Sequence, residues 1–215
     1  MKINLPITQH NYDYPGDELL VSSTNTRGEI THCNPAFVRV SGYSYEELIG
    51  QPHNIIRHPD VPAAAFKDMW STVGRGKPWT GLVKNRRKNG DHYWVRANVT
   101  PVWQGGSLTG YISVRNIPAR EEIAASEKLY AKVRNNELKH YRFYKGLLVR
   151  RGLFSFMSLF KCLSTSKRIH LGIATTALLS CLAVYLFPDK LVQSGSLVLL
   201  FTSLAYYLHA QIARP

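Results

Sequence analysis

The chain has 215 residues, 45% of them hydrophobic and 19% charged, enough to bury one core of ordinary size and too apolar for global disorder. Its formal net charge of +13 calls for an anionic neighbour; nucleic acid, an anionic lipid surface and a phosphorylated cofactor all qualify. Cys33, Cys162 and Cys181 stand far apart with no CxxC spacing, which argues against a structural zinc site and a secreted disulfide framework.

Residues 1–16 read as a polar arm with no hydrophobic run after Lys2, so no cleavable signal peptide is expected. "LLVSSTNTRGEITHCN" predicts two strands joined by a turn at Asn25 to Gly28. In "SGYSYEELIG", Ser44 and Glu47 have the capping-box spacing and Gly50 stops the helix. "VPAAAFKDMWSTVGRGKP" predicts a second helix with Ala65, Phe66, Met69, Trp70 and Val73 on one stripe, ended by Gly74 and Gly76. Two strands follow around Asn89-Gly90, the strongest short hairpin signal, and "LTGYISVRNI" adds a last strand. "AREEIAASEKLYAKV" is then expected as a helix that leaves the domain.

Beyond residue 119 the chain changes character. Residues 120–168 form a basic linker in which "LKHYRFYKGLLVRRGLFSFMSLFKCLSTSKR" interleaves Lys and Arg with apolar side chains, as would a helix lying on an anionic bilayer or a solvated linker helix with partner contacts. Residues 171–187 and 191–213 carry no formal charge, against the roughly 17 to 20 apolar residues a membrane-spanning helix needs. A transmembrane hairpin over 169–213 is therefore expected, turned at Pro188 and Asp189. The basic residues before its first span predict that both ends face the cytoplasm. Small residues with Tyr206 and Tyr207 in the second span permit helix pairing and a homodimer.

"GQPHNIIRHPDVP" (Gly50–Pro62) is the densest cluster of chemically capable side chains. His53, His58 and Asp60 are legitimate metal ligands, but a five-residue separation puts the two histidines on different helix faces and the prolines prevent a long helix. Haem ligation needs only one axial histidine and fits better than a bare metal. Asn34 before Pro35 reads as a helix cap or, more sharply, as a cofactor contact. Trp79 reads as a core residue or a stacking platform, and Asn85 as a strand residue satisfied by a nearby loop or as a ligand contact.

The order of elements, with "NPAFVRVSGYSYEELIGQ" inside it, resembles the PAS sensor fold: an α+β domain over 17–119 in which a five-stranded antiparallel sheet cups a ligand against short helices. "RHPD", "PWTGLVKNRRKNGDHYWVRANVTPV" and "QIARP" narrow the resemblance to the bacterial aerotaxis receptors. That resemblance implies FAD as cofactor, with His53, Arg57, His58 and Asp60 in the pocket wall. Arg57 and His58 would face the phosphates or the charge a flavin gains on reduction, and Asp60 would brace the turn between Pro59 and Pro62. Asn85 and Trp94 have the nine-residue spacing of flavin-binding photosensor PAS domains, whose second asparagine is Val95 here and whose last-strand glutamine is Arg115. No cysteine stands where photosensors form their adduct, so redox sensing survives and light-driven adduct chemistry does not. In that family a HAMP linker and a helical signalling rod follow the membrane hairpin. Neither occurs in these 215 residues, so the downstream element is expected to be such a module or a partner protein.

The expected function is a membrane-anchored redox sensor at the bacterial inner membrane, not an enzyme. A flavin oxidoreductase would need a substrate opening and an acid–base pair beyond Asp60 and His58. "KNRRKNGDHYWVR" could contact a nucleic-acid backbone, but charges beside a hairpin turn are ordinarily solvated, and no nucleic-acid partner is expected.

Overall fold

The computed structural model describes residues 3–152, 163, 165–186 and 200–208. The chain divides into two units, Met1–Gly152 and Leu153–Pro215.

In the first unit, alternation along β1 (Leu20–Asn25) buries Leu20, Ser22 and Thr24 and turns their neighbours partly outward. The turn to β2 (Ile30–Cys33) closes through Gly28 N donating to Asn25 O at 3.0 Å, with Gly28 at φ +79° where a side chain would be strained. Asn34 caps α1 (Pro35–Ser41) by accepting from Phe37 N. Ser44 and Glu47 form the expected capping box on α2 (Tyr45–Leu48), which is only one turn long. A 3-10 turn (His53–Ile56) precedes α3 (Ala63–Val73). The meander β3 (Trp79–Arg86), β4 (His92–Gln104) and β5 (Ser107–Asn116) completes a five-stranded antiparallel sheet of order β2-β1-β5-β4-β3. This is the expected PAS architecture.

Register fixes two faces. Leu20, Ser22 and Thr24 pair with Arg115, Ser113 and Tyr111. These pair in turn with Ala97, Val99 and Pro101, and the row continues to Trp79, Gly81, Val83 and Asn85 on β3. α1 and α3 cover this inner face: Phe37 lies beneath Arg115, and Trp70 meets Tyr111 edge-on at 5.5 Å.

Two expectations are corrected here. α4 (Arg120–Arg134) does not leave the domain but packs on the outer face, where Tyr130 stacks on Trp94 at 6.2 Å and hydrogen-bonds Leu82 O. Within the stretch read as an interfacial or linker helix, residues 141–150 form a hairpin, β6 (Tyr141–Tyr144) and β7 (Leu147–Arg150), turned at Lys145 and Gly146. β-Branched and aromatic residues flanking Lys145-Gly146 favour extended backbone, and the turn packs on the edge strand β3 so tightly that a Cβ on Gly146 would lie 1.8 Å from Thr80 O. The N-terminal arm lies along the β3–β4 turn: Thr8, His10 and Tyr12 hydrogen-bond along Gly90 and His92, and Arg86 donates to Leu5 O and Pro6 O.

In the second unit, α5 (Thr165–Leu186) is helical and exposes Leu178, Leu182, Tyr185 and Leu186. Among the described residues no helix is long and apolar enough to cross a membrane, so they do not support the expected transmembrane hairpin. Much of its second span, like residues 153–162 of the linker, lies outside the described residues; 200–208 are helical.

Candidate cofactor-binding site

The inner face carries a cation where a β-sheet core would ordinarily be apolar. Arg115, 4% exposed, donates from Nη1 to Ser22 Oγ at 3.1 Å and lies 2.7 Å through Nη2 from His53 Nε2. Its Cζ stands 5.2 Å from the centre of the Phe37 ring. Burial lowers the pKa of Arg115 to about 10, which leaves it charged at neutral pH. Burial and the Arg115 charge push His53 down to about 3. His53 is thus neutral, and its Nε2 accepts from the guanidinium. None of these contacts is a carboxylate, so the charge is solvated by neutral groups alone.

Trp79 opens β3 on the same face. Its Nε1 donates to Asp68 Oδ2 at 2.8 Å, and its indole covers Gly81, where a Cβ would lie 2.4 Å from the ring. Asp68 sits on the buried face of α3, one turn from Ala65 and Thr72, and also accepts the Lys145 and Gly146 amides at 2.9 and 2.7 Å. It ties α3, β3 and the hairpin turn together. Asn85 and Tyr93 are directly opposed on the inner face, both buried. Trp94, one residue on, faces outward against Tyr130, so the nine-residue spacing places only the asparagine inside.

The "RHPD" segment crosses the β3 edge, where Arg57 bridges Asn85 through the backbone. Arg57 is 6% exposed, lies 4.3 Å over the Phe66 ring and donates to Val61 O at 3.0 Å. His58, 1% exposed, turns the other way, meeting His92 edge-on at 5.8 Å, and its Nδ1 accepts from the Asp60 amide at 3.2 Å. Burial and the neighbouring Lys84 push its pKa down to about 4, so it carries no charge at neutral pH. Asp60 binds buried Lys84 at 2.8 Å instead of bracing its own turn. Burial alone would raise its carboxyl pKa, but the Lys84 hydrogen bond and charge outweigh that and hold it below the usual range. Arg57 and His58 therefore do not form one anion site: the first belongs to the cup and the second to an ionic cluster at its rim.

Asn34 is engaged by the fold, accepting from Val21 N and Phe37 N and donating to Leu19 O. The basic stretch at 84–88 is largely internal: Lys84 and Arg86 are buried, and Arg87 lies 3.6 Å over the Tyr12 ring. Ser22, Asp68, Tyr93 and Lys84 were not singled out in the sequence; Asp68 left no signal there, because it falls outside the stripe of Ala65, Phe66, Met69, Trp70 and Val73 and only the folded helix shows it buried.

Among the described residues, the inner face also buries polar atoms without hydrogen-bond partners: Thr24 Oγ1, Ser113 Oγ and, at the edge, Arg57 Nε. Buried polar groups ordinarily find partners. With the cationic Arg115 and the flat Trp79, this donor-rich set fits a planar, hydrogen-bonding ligand that carries negative charge. Among the described residues no group of three His, Cys, Asp or Glu side chains could hold a metal ion.

The PAS fold family matches residues 30–115, so the chain carries a PAS domain. Over 146 residues it is 54% identical to the aerotaxis receptor of Escherichia coli (strain K12), covering 68% of this chain and 29% of that one. It is 32% identical over 117 residues to the nitrogen fixation regulatory protein of Klebsiella pneumoniae, covering 54% and 23%. A PAS domain from Colwellia psychrerythraea is 24% identical at TM-score 0.43, covering 46% of this chain and 86% of that one. The chain is an aerotaxis-receptor-like PAS protein, and it spans about a quarter of the length of these two relatives.

Proposed function

We propose that the chain is a redox sensor whose PAS cup binds FAD and whose residues 169–213 anchor it in the bacterial inner membrane, with the PAS domain and both ends of that segment cytoplasmic. The observation that carries the proposal is Arg115, a buried guanidinium on the cup wall whose hydrogen-bond partners among the described residues are Ser22, His53 and a backbone carbonyl. A buried charge without a counter-charge is costly, and a ligand that gains negative charge supplies one. Supporting it are the Thr24 and Ser113 hydroxyls, without partners among the described residues, Asn85, Tyr93 and Trp79 on the same face, and the resemblance to aerotaxis receptors.

Bound flavin would supply reversible electron uptake with a change of charge. The chain's part is to feel that change. Arg115 would turn toward negative charge in the cup and loosen its bond to His53. His53 is tied by its amide to Gly28 O at the β1–β2 turn, so the movement would reach the sheet surface. Such a sensor needs two states of different contact energy and no substrate site. The haem alternative would require His53 to release Arg115, or His58 to swing from its place beside His92. Charge-free 171–187 and 191–213, the basic residues before them and the exposed leucines of α5 support the membrane anchor. Signalling would pass to a HAMP-type module or partner chain, in a homodimer.

The full chain purified in detergent should be yellow, with flavin absorbance that bleaches on anaerobic reduction. A colourless protein, or one with a Soret band, overturns the proposal. Steady NADH turnover would make it a flavin oxidoreductase instead.

A further inference from the structure

The outer side of α3 and the β6–β7 hairpin enclose a groove of about 400 Å³. Lys67 lines it from α3 and Arg75 from just beyond that helix, Arg142 from the hairpin and Arg151 from just after it; all four are exposed. None of them forms an ion pair among the described residues. Asp68 is the carboxylate among the lining residues, and it is engaged by Trp79 Nε1 and the Lys145 and Gly146 amides. The groove is left with four cations clustered around one concavity. Such a cluster repels itself, and an anion seated in the concavity relieves that repulsion.

Tyr141 and Tyr144 stand among these cations, and Leu147 is 44% exposed at the hairpin turn. Tyrosine beside Lys and Arg, next to an exposed apolar side chain, is the pattern of a surface at headgroup depth. The chain leaves the hairpin into residues 153–168, which continue to mix Phe, Leu and Met with Lys and Arg, and the charge-free run begins at Leu171.

We propose that this groove docks the phosphate of an anionic phospholipid headgroup and holds the α3 face of the PAS domain against a bilayer. The inference rests on the membrane-anchored reading. It adds that the helix covering the cofactor cup on one side is the helix that meets lipid on the other. Asp68 joins the two sides, since it binds Trp79 in the cup and the hairpin turn that forms the groove wall.

The test uses the full chain in nanodiscs of phosphatidylcholine alone or with one third phosphatidylglycerol. Acetylation of Lys67 is read by mass spectrometry against Lys128, an exposed lysine of α4. With phosphatidylglycerol, Lys67 should be labelled about fivefold more slowly, roughly the effect of one cation at an anionic surface. Lys128 should be unaffected, and Arg142→Gln with Arg151→Gln should abolish the protection. Equal labelling of Lys67 in both discs overturns the proposal, as does equal slowing of Lys128. Protection by a DNA duplex in phosphatidylcholine discs, without any effect of phosphatidylglycerol, overturns it in favour of nucleic acid. Failure to associate with either disc overturns it together with the membrane anchor. Flavin absorbance recorded on the same discs separates the readings: yellow protein without lipid protection loses only this inference, and colourless protein with protection loses only the sensor.

Discussion

Arg115 Nη2 and His53 Nε2 lie 2.7 Å apart, a contact in which the arginine must donate and the histidine must be neutral. The strand residue and the turn residue are 62 positions apart in the chain, and their contact links the centre of the sheet to the segment that forms the cup wall. If Arg115 serves as counter-charge, Arg115→Gln should leave the fold as stable or more stable, because a buried charge is removed. The midpoint potential of the bound flavin should fall by on the order of 60 mV, a tenfold change in a one-electron equilibrium. Potentiometric titration beside a thermal melt checks both, and an unchanged potential would remove Arg115 from the sensing role.

Acid should unfold the PAS domain earlier than its carboxylates require. His53 and His58 have folded pKa values of about 3 and about 4, below the ordinary 6.5, so the unfolded state binds protons more readily between these limits. Stability is therefore complete above about pH 6.5 and lost as pH falls toward 4. By pH 4.5 the two together should cost on the order of 2 to 4 kcal/mol, from 1.36 kcal/mol per pKa unit with allowance for partial exposure. Urea titrations of the wild type and of His53→Asn at pH 7 and pH 4.5 measure it. The variant should lose about half of the pH dependence, and equal dependence in both proteins would count against a neutral buried His53.

Lys84 is 4% exposed and its carboxylate partner is Asp60. Asp60→Ala leaves a buried ammonium without its partner and should cost about 2 kcal/mol, less than a fully buried pair because Asp60 is partly exposed. Asp60→Ala with Lys84→Met should recover most of that loss. Chemical denaturation of the two variants distinguishes a rim ion pair from a residue that acts only on ligand binding, for which the double variant would be no more stable.

Asp68 accepts hydrogen bonds from Trp79 Nε1 and from the Lys145 and Gly146 amides. Asp68→Ala leaves three buried or half-buried donors unpaired and should destabilise by about 3 kcal/mol. Hydrogen exchange should rise across Tyr141–Arg150 while β4 and β5 stay protected. Unchanged exchange in the hairpin would mean that its docking rests on Gly146 against Thr80 alone.

The five strands and their helices were legible because their signals are local. Alternation marks β1, Ser44 and Glu47 write a capping box, and Asn89-Gly90 writes a turn, each within a few residues. The hairpin at 141–150 was misread because cations interleaved with aromatic side chains suit an interfacial helix and a strand equally well. What selects the strand is packing on the β3 edge, which no local pattern records. The histidines and arginines were recognised as a site, but not their grouping.

Composition and short-range spacing determined the strands, turns and capped helices of the first 119 residues, since caps, turns and hydrophobic periods act between near neighbours; their PAS arrangement was implied by the resemblance. Tertiary structure alone decided that Arg115 meets His53, that adjacent Arg57 and His58 part on either side of a strand edge, and that Asp68 ties three elements together. Those outcomes depend on register and on which face of the sheet each side chain enters. A single residue's shift along β5 would turn Arg115 to the other face of the sheet, away from His53.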